Sequence, residues 1–150
     1  MKKTIITSIL FISMYLFAST NPKVKADIIS VEVSKISDKE YRFSVGIKSD
    51  DKGCKQFANW WEVIDENGKL VYRRILFHSH TNEQPFVRSG IVKGVDENKK
   101  LYIRAHMNNV GYSGNIYSGT IKSGFKNLNK DINFSKDIEK QEPQPNGCAF

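Results

Sequence analysis

"FANWWEVIDENGKLVYRRILF", residues 57–77, decides the fold. Two runs rich in aromatic and branched residues flank Glu66-Asn67-Gly68. Asn-Gly between such runs is a strong hairpin signal, because both residues tolerate positive φ. Successive side chains on a strand point to opposite faces. One of Trp60 and Trp61 therefore faces a core and the other faces out. By the same rule Arg73-Arg74 puts one arginine on each face and makes no basic patch.

Working outward, the rest of the chain reads as more of the same. "DIISVEVSKI" (27–36) alternates through Ile29, Val31 and Val33, and "EYRFSVGIK" (40–48) through Tyr41, Phe43, Val45 and Ile47. "FVRSGIVKG" (86–94) and "LYIRAHM" (101–107) follow, the latter alternating through Leu101, Ile103 and Ala105, and "GNIYSGTIK" (114–122) comes last. No stretch before residue 123 carries a helical period. Seven short strands with regular turn signals predict an all-β chain, an antiparallel immunoglobulin- or fibronectin III-like sandwich over residues 27–122. A small closed barrel is the alternative. Residues 123–150 are polar and rich in Lys, Asn and Pro, and read as a weakly ordered C-terminal arm.

The first 26 residues read as a secretory leader. "MKK" is a positive start, "TIITSILFISMYLFA" is apolar, and Val24-x-Ala26 suits cleavage after Ala26. The apolar run is short for a bilayer span of about 20 residues, so no stable membrane anchor is expected. The destination is periplasmic or extracellular. Lys2, Lys3, Lys23 and Lys25 fall within the leader, which leaves 19 of the 23 basic residues against all 16 acidic ones, a balance of +3. Such a mild, mixed charge does not point to nucleic acid. In an exporting compartment the two cysteines, Cys54 and Cys148, are expected to pair, tying the arm back to the middle of the chain.

Function should sit in "FHSHTNEQPFVRSG", residues 77–90. With fibronectin-like connections, the end of the fourth strand, the end of the sixth and the start of the third share one pole. His78, His80 and His106 then collect there, with Glu83 and Tyr112 in adjoining loops. His-x-His on a strand puts both rings on one face, a spacing that copper and zinc sites use. One expectation is therefore a copper or zinc site on His78, His80 and His106, with Glu83 as ligand or as a partner fixing a tautomer. The other is a buried polar network in which Glu83, Arg88 and a histidine satisfy one another while Pro85 and Phe86 anchor the loop. "GYSGN" (111–115) lacks the setting of a nucleophile elbow, and there is no phosphate loop or close carboxylate pair. The expectation is a non-enzymatic domain without a cofactor, whose loop pole binds a protein partner or a small ligand.

The run from Phe57 to Ser89, with "LYIRAHMNNVGYSG", resembles a family of small exported bacterial domains without an assigned function. The resemblance rests on Phe57-Ala58, Trp61 and Val63, on His78, His80, Glu83, Gln84, Pro85, Phe86, Arg88 and Ser89, and on Arg104-Ala105-His106. It covers roughly residues 28–122 and implies an exported sandwich, with no reaction attached. Where the family has His-Gly-Trp after the last segment, this chain has Val110, Gly111 and Tyr112. The two cysteines and the arm lie outside it.

Overall fold

The computed structural model describes residues 23–129 and 135–149. Most of the expected leader, residues 1–22, lies outside the described residues. The strands are β1 (Ala26–Ser37), β2 (Glu40–Ser49), β3 (Ala58–Asp65), β4 (Leu70–Ile75), β5 (Phe86–Lys93), β6 (Leu101–Met107), β7 (Gly111–Tyr112), β8 (Tyr117–Thr120) and β9 (Gly124–Asn127). They form two antiparallel sheets, β1-β2-β5 and β4-β3-β6-β8-β9, with β7 added on β6. This is the sandwich read from the sequence rather than the barrel. β7 and β9 are additions to the seven expected strands.

Alternation places the core. Phe43, Val45 and Ile47 of β2 and Phe86 and Val92 of β5 meet Trp61 and Val63 of β3 and Ile103, Ala105 and Met107 of β6. Trp61 is the inward tryptophan, fully buried, and Trp60 takes the opposite face. The β3–β4 hairpin uses only half of its Asn-Gly signal. Gly68 alone takes positive φ, at 80°, and Gly68 N–H donates to the Asp65 carbonyl at 3.0 Å. That is a three-residue loop closed by a left-handed residue. Gly90 is glycine for another reason, since a Cβ there would lie 2.4 Å from the Tyr72 hydroxyl.

The edge strands β4 and β5 face each other across the open side of the sandwich. Open edges invite pairing with other chains, and here side chains blunt them. Arg74 Nε donates to the Ser89 carbonyl at 3.2 Å, and Arg88 Nη1 to the Val87 carbonyl at 2.9 Å.

The arm departs from expectation. In its described part it is packed, with a 3-10 turn at Lys136–Lys140 whose Ile138 is 2% exposed. The tether is as expected: Cys54 and Cys148 are disulfide-bonded, with Cα atoms 5.7 Å apart, and Ala149 N–H donates to the Phe77 carbonyl at 2.6 Å. The physical reason lies in the sheet beneath. The outer face of β4-β3-β6, extended by β7, carries the apolar cluster of Trp60, Ile75 and Tyr112 beside Arg73, Arg104 and His106, which bond the described arm.

Candidate functional site

The loop between β4 and β5 is held by its backbone. Asp51 Oδ2 accepts the His80 N–H at 2.8 Å, while Oδ1 accepts Ser49 Oγ at 2.7 Å and the Ala58 N–H at 2.9 Å. Gln84 Nε2 donates to the His80 carbonyl and to Ser49 Oγ, each at 3.1 Å, and Gln84 Oε1 accepts the Ser49 N–H at 2.9 Å. Asp51 and Gln84 thus replace the ladder bonds that an irregular segment lacks.

His80 is built into this frame by everything except its nitrogens. Its ring stacks on Phe86, centroids 3.8 Å apart and planes 11° apart, and its side chain is 1% exposed. Neither ring nitrogen has a hydrogen-bond partner among the described residues. The Asp51 carboxylate is 3.8 Å from Nδ1, too far for a hydrogen bond. Burial holds the His80 imidazole below its ordinary pKa, with the Arg88 and His78 charges acting the same way. The ring is therefore neutral at pH 7, with one N–H to donate and one lone pair to accept.

Beside it lies a cavity of about 60 Å³ lined by Arg74, Leu76, Phe77, His78, His80 and Arg88, together with Ile75. Register explains the two arginines. Arg74 stands opposite Trp61, on the inner face of β4, and the Arg88 guanidinium lies 5.4 Å from the centre of the Phe86 ring. The His78 ring centroid is 4.5 Å from that of His80. Glu83 sits at the rim, more than half exposed, and takes Arg88 in two bonds of 3.1 and 2.8 Å. That pairing with Arg88 lowers the Glu83 pKa. The expected network of Glu83, Arg88 and a histidine is thus a surface ion pair, with the His80 ring outside it.

His106 goes elsewhere. Leu101, Ile103, Ala105 and Met107 take the inner face of β6, so His106 points to the outer face with Arg104. It stacks on Trp60, centroids 3.6 Å apart, with Nδ1 2.6 Å from Asn59 Oδ1 and Nε2 3.0 Å from Glu139 Oε1. Burial lowers its pKa, opposed by Glu139. Tyr112 is there too, its ring centroid 4.9 Å from that of His106, and burial raises the pKa of its hydroxyl. The expected set of His78, His80 and His106 shares a pole but is split between two faces, so it does not assemble around one copper or zinc ion. Among the described residues no three His, Cys, Asp or Glu side chains are grouped to hold a metal.

The outer face holds what the sequence reading missed. Glu62, wholly buried, accepts Arg73 Nε at 2.9 Å, Trp60 Nε1 at 3.0 Å and Arg104 Nε at 2.8 Å. Glu62 lies opposite both Arg73 and Arg104 in register. A carboxylate between two arginines on neighbouring strands was a signal available once the strands were aligned.

No protein-family model matches this chain. It is 29% identical over 100 residues to a protein of Halomicrobium mukohataei named "Putative lipoprotein", covering 67% of this chain and 49% of that protein. The chain thus spans about half the length of the curated relative it matches. Among solved structures it is similar to the sensor domain of the anti-sigma factor RsgI4 of Pseudobacteroides cellulosolvens. That likeness has 14% identity and a TM-score of 0.43, over 68% of this chain and 96% of that one.

Proposed function

We propose that this chain is an exported, envelope-facing recognition domain that acts by binding, and that its loop pole receives a carboxylate from a ligand or a partner side chain. The observation that carries this reading is His80, a buried imidazole with both nitrogens unpartnered beside a cavity flanked by Arg74 and Arg88. A buried polar group without a partner costs about 1–3 kcal/mol. A ligand atom that satisfies His80 recovers that cost.

The chemistry narrows the ligand. The neutral imidazole offers one N–H, which a carboxylate oxygen accepts, and Arg74 stands on the inner face to balance its charge. A space of about 60 Å³ takes a head group and little more. The remainder of the ligand would lie across Phe77, an apolar side chain that lines the cavity and is 48% exposed. Export is supported by the leader-like opening of the chain, a positive start followed by an apolar run, and by the Cys54–Cys148 pairing. The lipoprotein name of the Halomicrobium relative fits an envelope setting. The His-x-His-x-x-Glu-Gln-Pro-Phe loop resemblance points to the same pole.

Titration with acetate, phosphate and short peptides bearing exposed glutamates, followed by backbone amide NMR, tests this. Saturable shifts confined to residues 74–90 with acetate or the peptides, lost in His80→Phe, are the expected result. Shifts that never saturate, or that persist unchanged in His80→Phe, would overturn it. A preference for phosphate would move the ligand class from carboxylates to phosphoryl groups.

A further inference from the structure

The outer face of β4-β3-β6 has the make-up of a binding groove. Glu62, Arg73, Arg104, His106, Trp60 and Tyr112 are each at most 7% exposed, and the described arm bonds to Arg73, Arg104 and His106 among them. The guanidiniums are framed by aromatic rings, Arg73 4.4 Å over Trp60 and Arg104 3.5 Å over Tyr112. Both guanidiniums bond the Glu62 carboxylate and also point donors outward, toward the arm.

The arm satisfies those donors as a bound peptide would. Arg73 donates to the carbonyls of Gln141 at 2.5 Å, Pro143 at 3.2 Å and Ile138 at 2.7 Å, and Arg104 donates to the Ser135 carbonyl at 2.8 Å. These bonds go to backbone oxygens and are indifferent to the arm's side chains. Two arm side chains add selectivity. Ile138 is buried, and Glu139 sets its carboxylate 3.0 Å from His106 Nε2. The Cys54–Cys148 disulfide then ties the end of the arm to the sandwich. A tether of this kind raises the arm's local concentration above that of any free competitor.

We infer that the outer face of β4-β3-β6 is a peptide-recognition groove whose resident occupant is the chain's own arm, held there by the disulfide. A peptide presenting an adjacent aliphatic and acidic residue on a short turn is the partner it fits. The groove uses the opposite face of β3 and β6 from the loop pole, and the described arm reaches that pole at its end, where Ala149 N–H donates to the Phe77 carbonyl. Thiol–disulfide exchange with a dithiol opens the latch. The bond between the two sulfurs breaks, two electrons and two protons come from the dithiol, Cys54 and Cys148 become thiols, and the dithiol is left as its own disulfide.

The test uses the full chain and a fluorescent synthetic peptide of residues 135–149 with serine at its Cys148 position. The peptide is expected to bind saturably to a Cys54→Ser/Cys148→Ser variant whose own arm also carries Ile138→Ala and Glu139→Gln, and to bind oxidised wild type at least tenfold more weakly. Reducing wild type with a dithiol should strengthen binding. Replacing Glu139 by Gln or Ile138 by Ala in the peptide should weaken binding at least tenfold, with no change to the protein. Hydrogen exchange of β3 and β6 amides reports whether the sandwich stays folded when the latch is open. Loss of that protection would make the arm part of the folding core and overturn the inference. Failure of the peptide to bind an intact, unlatched sandwich would overturn it equally.

Discussion

At the scale of single residues, His80 separates architecture from function because its backbone and its ring do different work. The backbone carries the loop, through Asp51 and Gln84, while the ring contributes only its face against Phe86. Phenylalanine keeps that face and removes two unpartnered buried nitrogens. His80→Phe should therefore match wild type in stability or exceed it by up to about 1–3 kcal/mol, whereas His80→Ala should lose stability through the missing contact with Phe86. Urea unfolding of both variants checks this. Glu83→Ala should leave the unfolding midpoint nearly unchanged, since the Glu83–Arg88 pair lies at the surface.

Acid should weaken the fold through its buried histidines. His80 and His106 both have folded pKa values below their unfolded value, chiefly through burial. The unfolded chain therefore takes up more protons than the folded one as pH falls below about 6.5. The stability contribution is complete above that pH and is lost on descending through it. Unfolding midpoints at pH 7.5 and 5.5 should show the lower value at 5.5, and His80→Phe should narrow the gap.

At the scale of elements, the β3–β4 hairpin was readable because turn chemistry and alternation agreed on it. Alternation also held the answer for His106, since Leu101, Ile103 and Ala105 inside put it outside. The buried charges of the outer face were harder. A lone glutamate and two separated arginines look like solvated positions until register brings Glu62 opposite Arg73 and Arg104. The arm was illegible for a related reason. Its composition is that of a solvated segment, and its order comes from the arginines, the histidine and the disulfide that receive it. Glu62→Gln should cost about 3–5 kcal/mol, because it leaves buried guanidiniums without their carboxylate. Denaturant unfolding measures it, and a loss under 1 kcal/mol would mean that water reaches the cluster.

At the scale of the whole molecule, a sandwich of short strands positions two unlike sites on the same elements. The inner-face edge positions of β4 and β5 carry Arg74 and Arg88 to the loop pole, and the outer face of β3 and β6 carries the groove under the arm. The first residues described belong to the same unit. Lys25 N–H donates to Asp50 Oδ2 at 3.0 Å, Ala26 N–H to the Ser113 carbonyl at 2.8 Å, and Ser113 Oγ to the Val24 carbonyl at 2.8 Å. A cut after Ala26 would remove these bonds. Intact mass of the exported protein should therefore place its first residue at or ahead of Val24, and a start at Asp27 would contradict this.

The central claim is that the His80 ring is there for a ligand. Its ring nitrogen resonances, followed by long-range ¹H–¹⁵N NMR at pH 7 while acetate or a glutamate peptide is added, test that most directly. The account predicts a neutral ring whose nitrogen shifts move saturably in step with the amides of the loop. Nitrogen shifts that stay fixed while a ligand saturates elsewhere would contradict it, and would leave His80 as packing for Phe86.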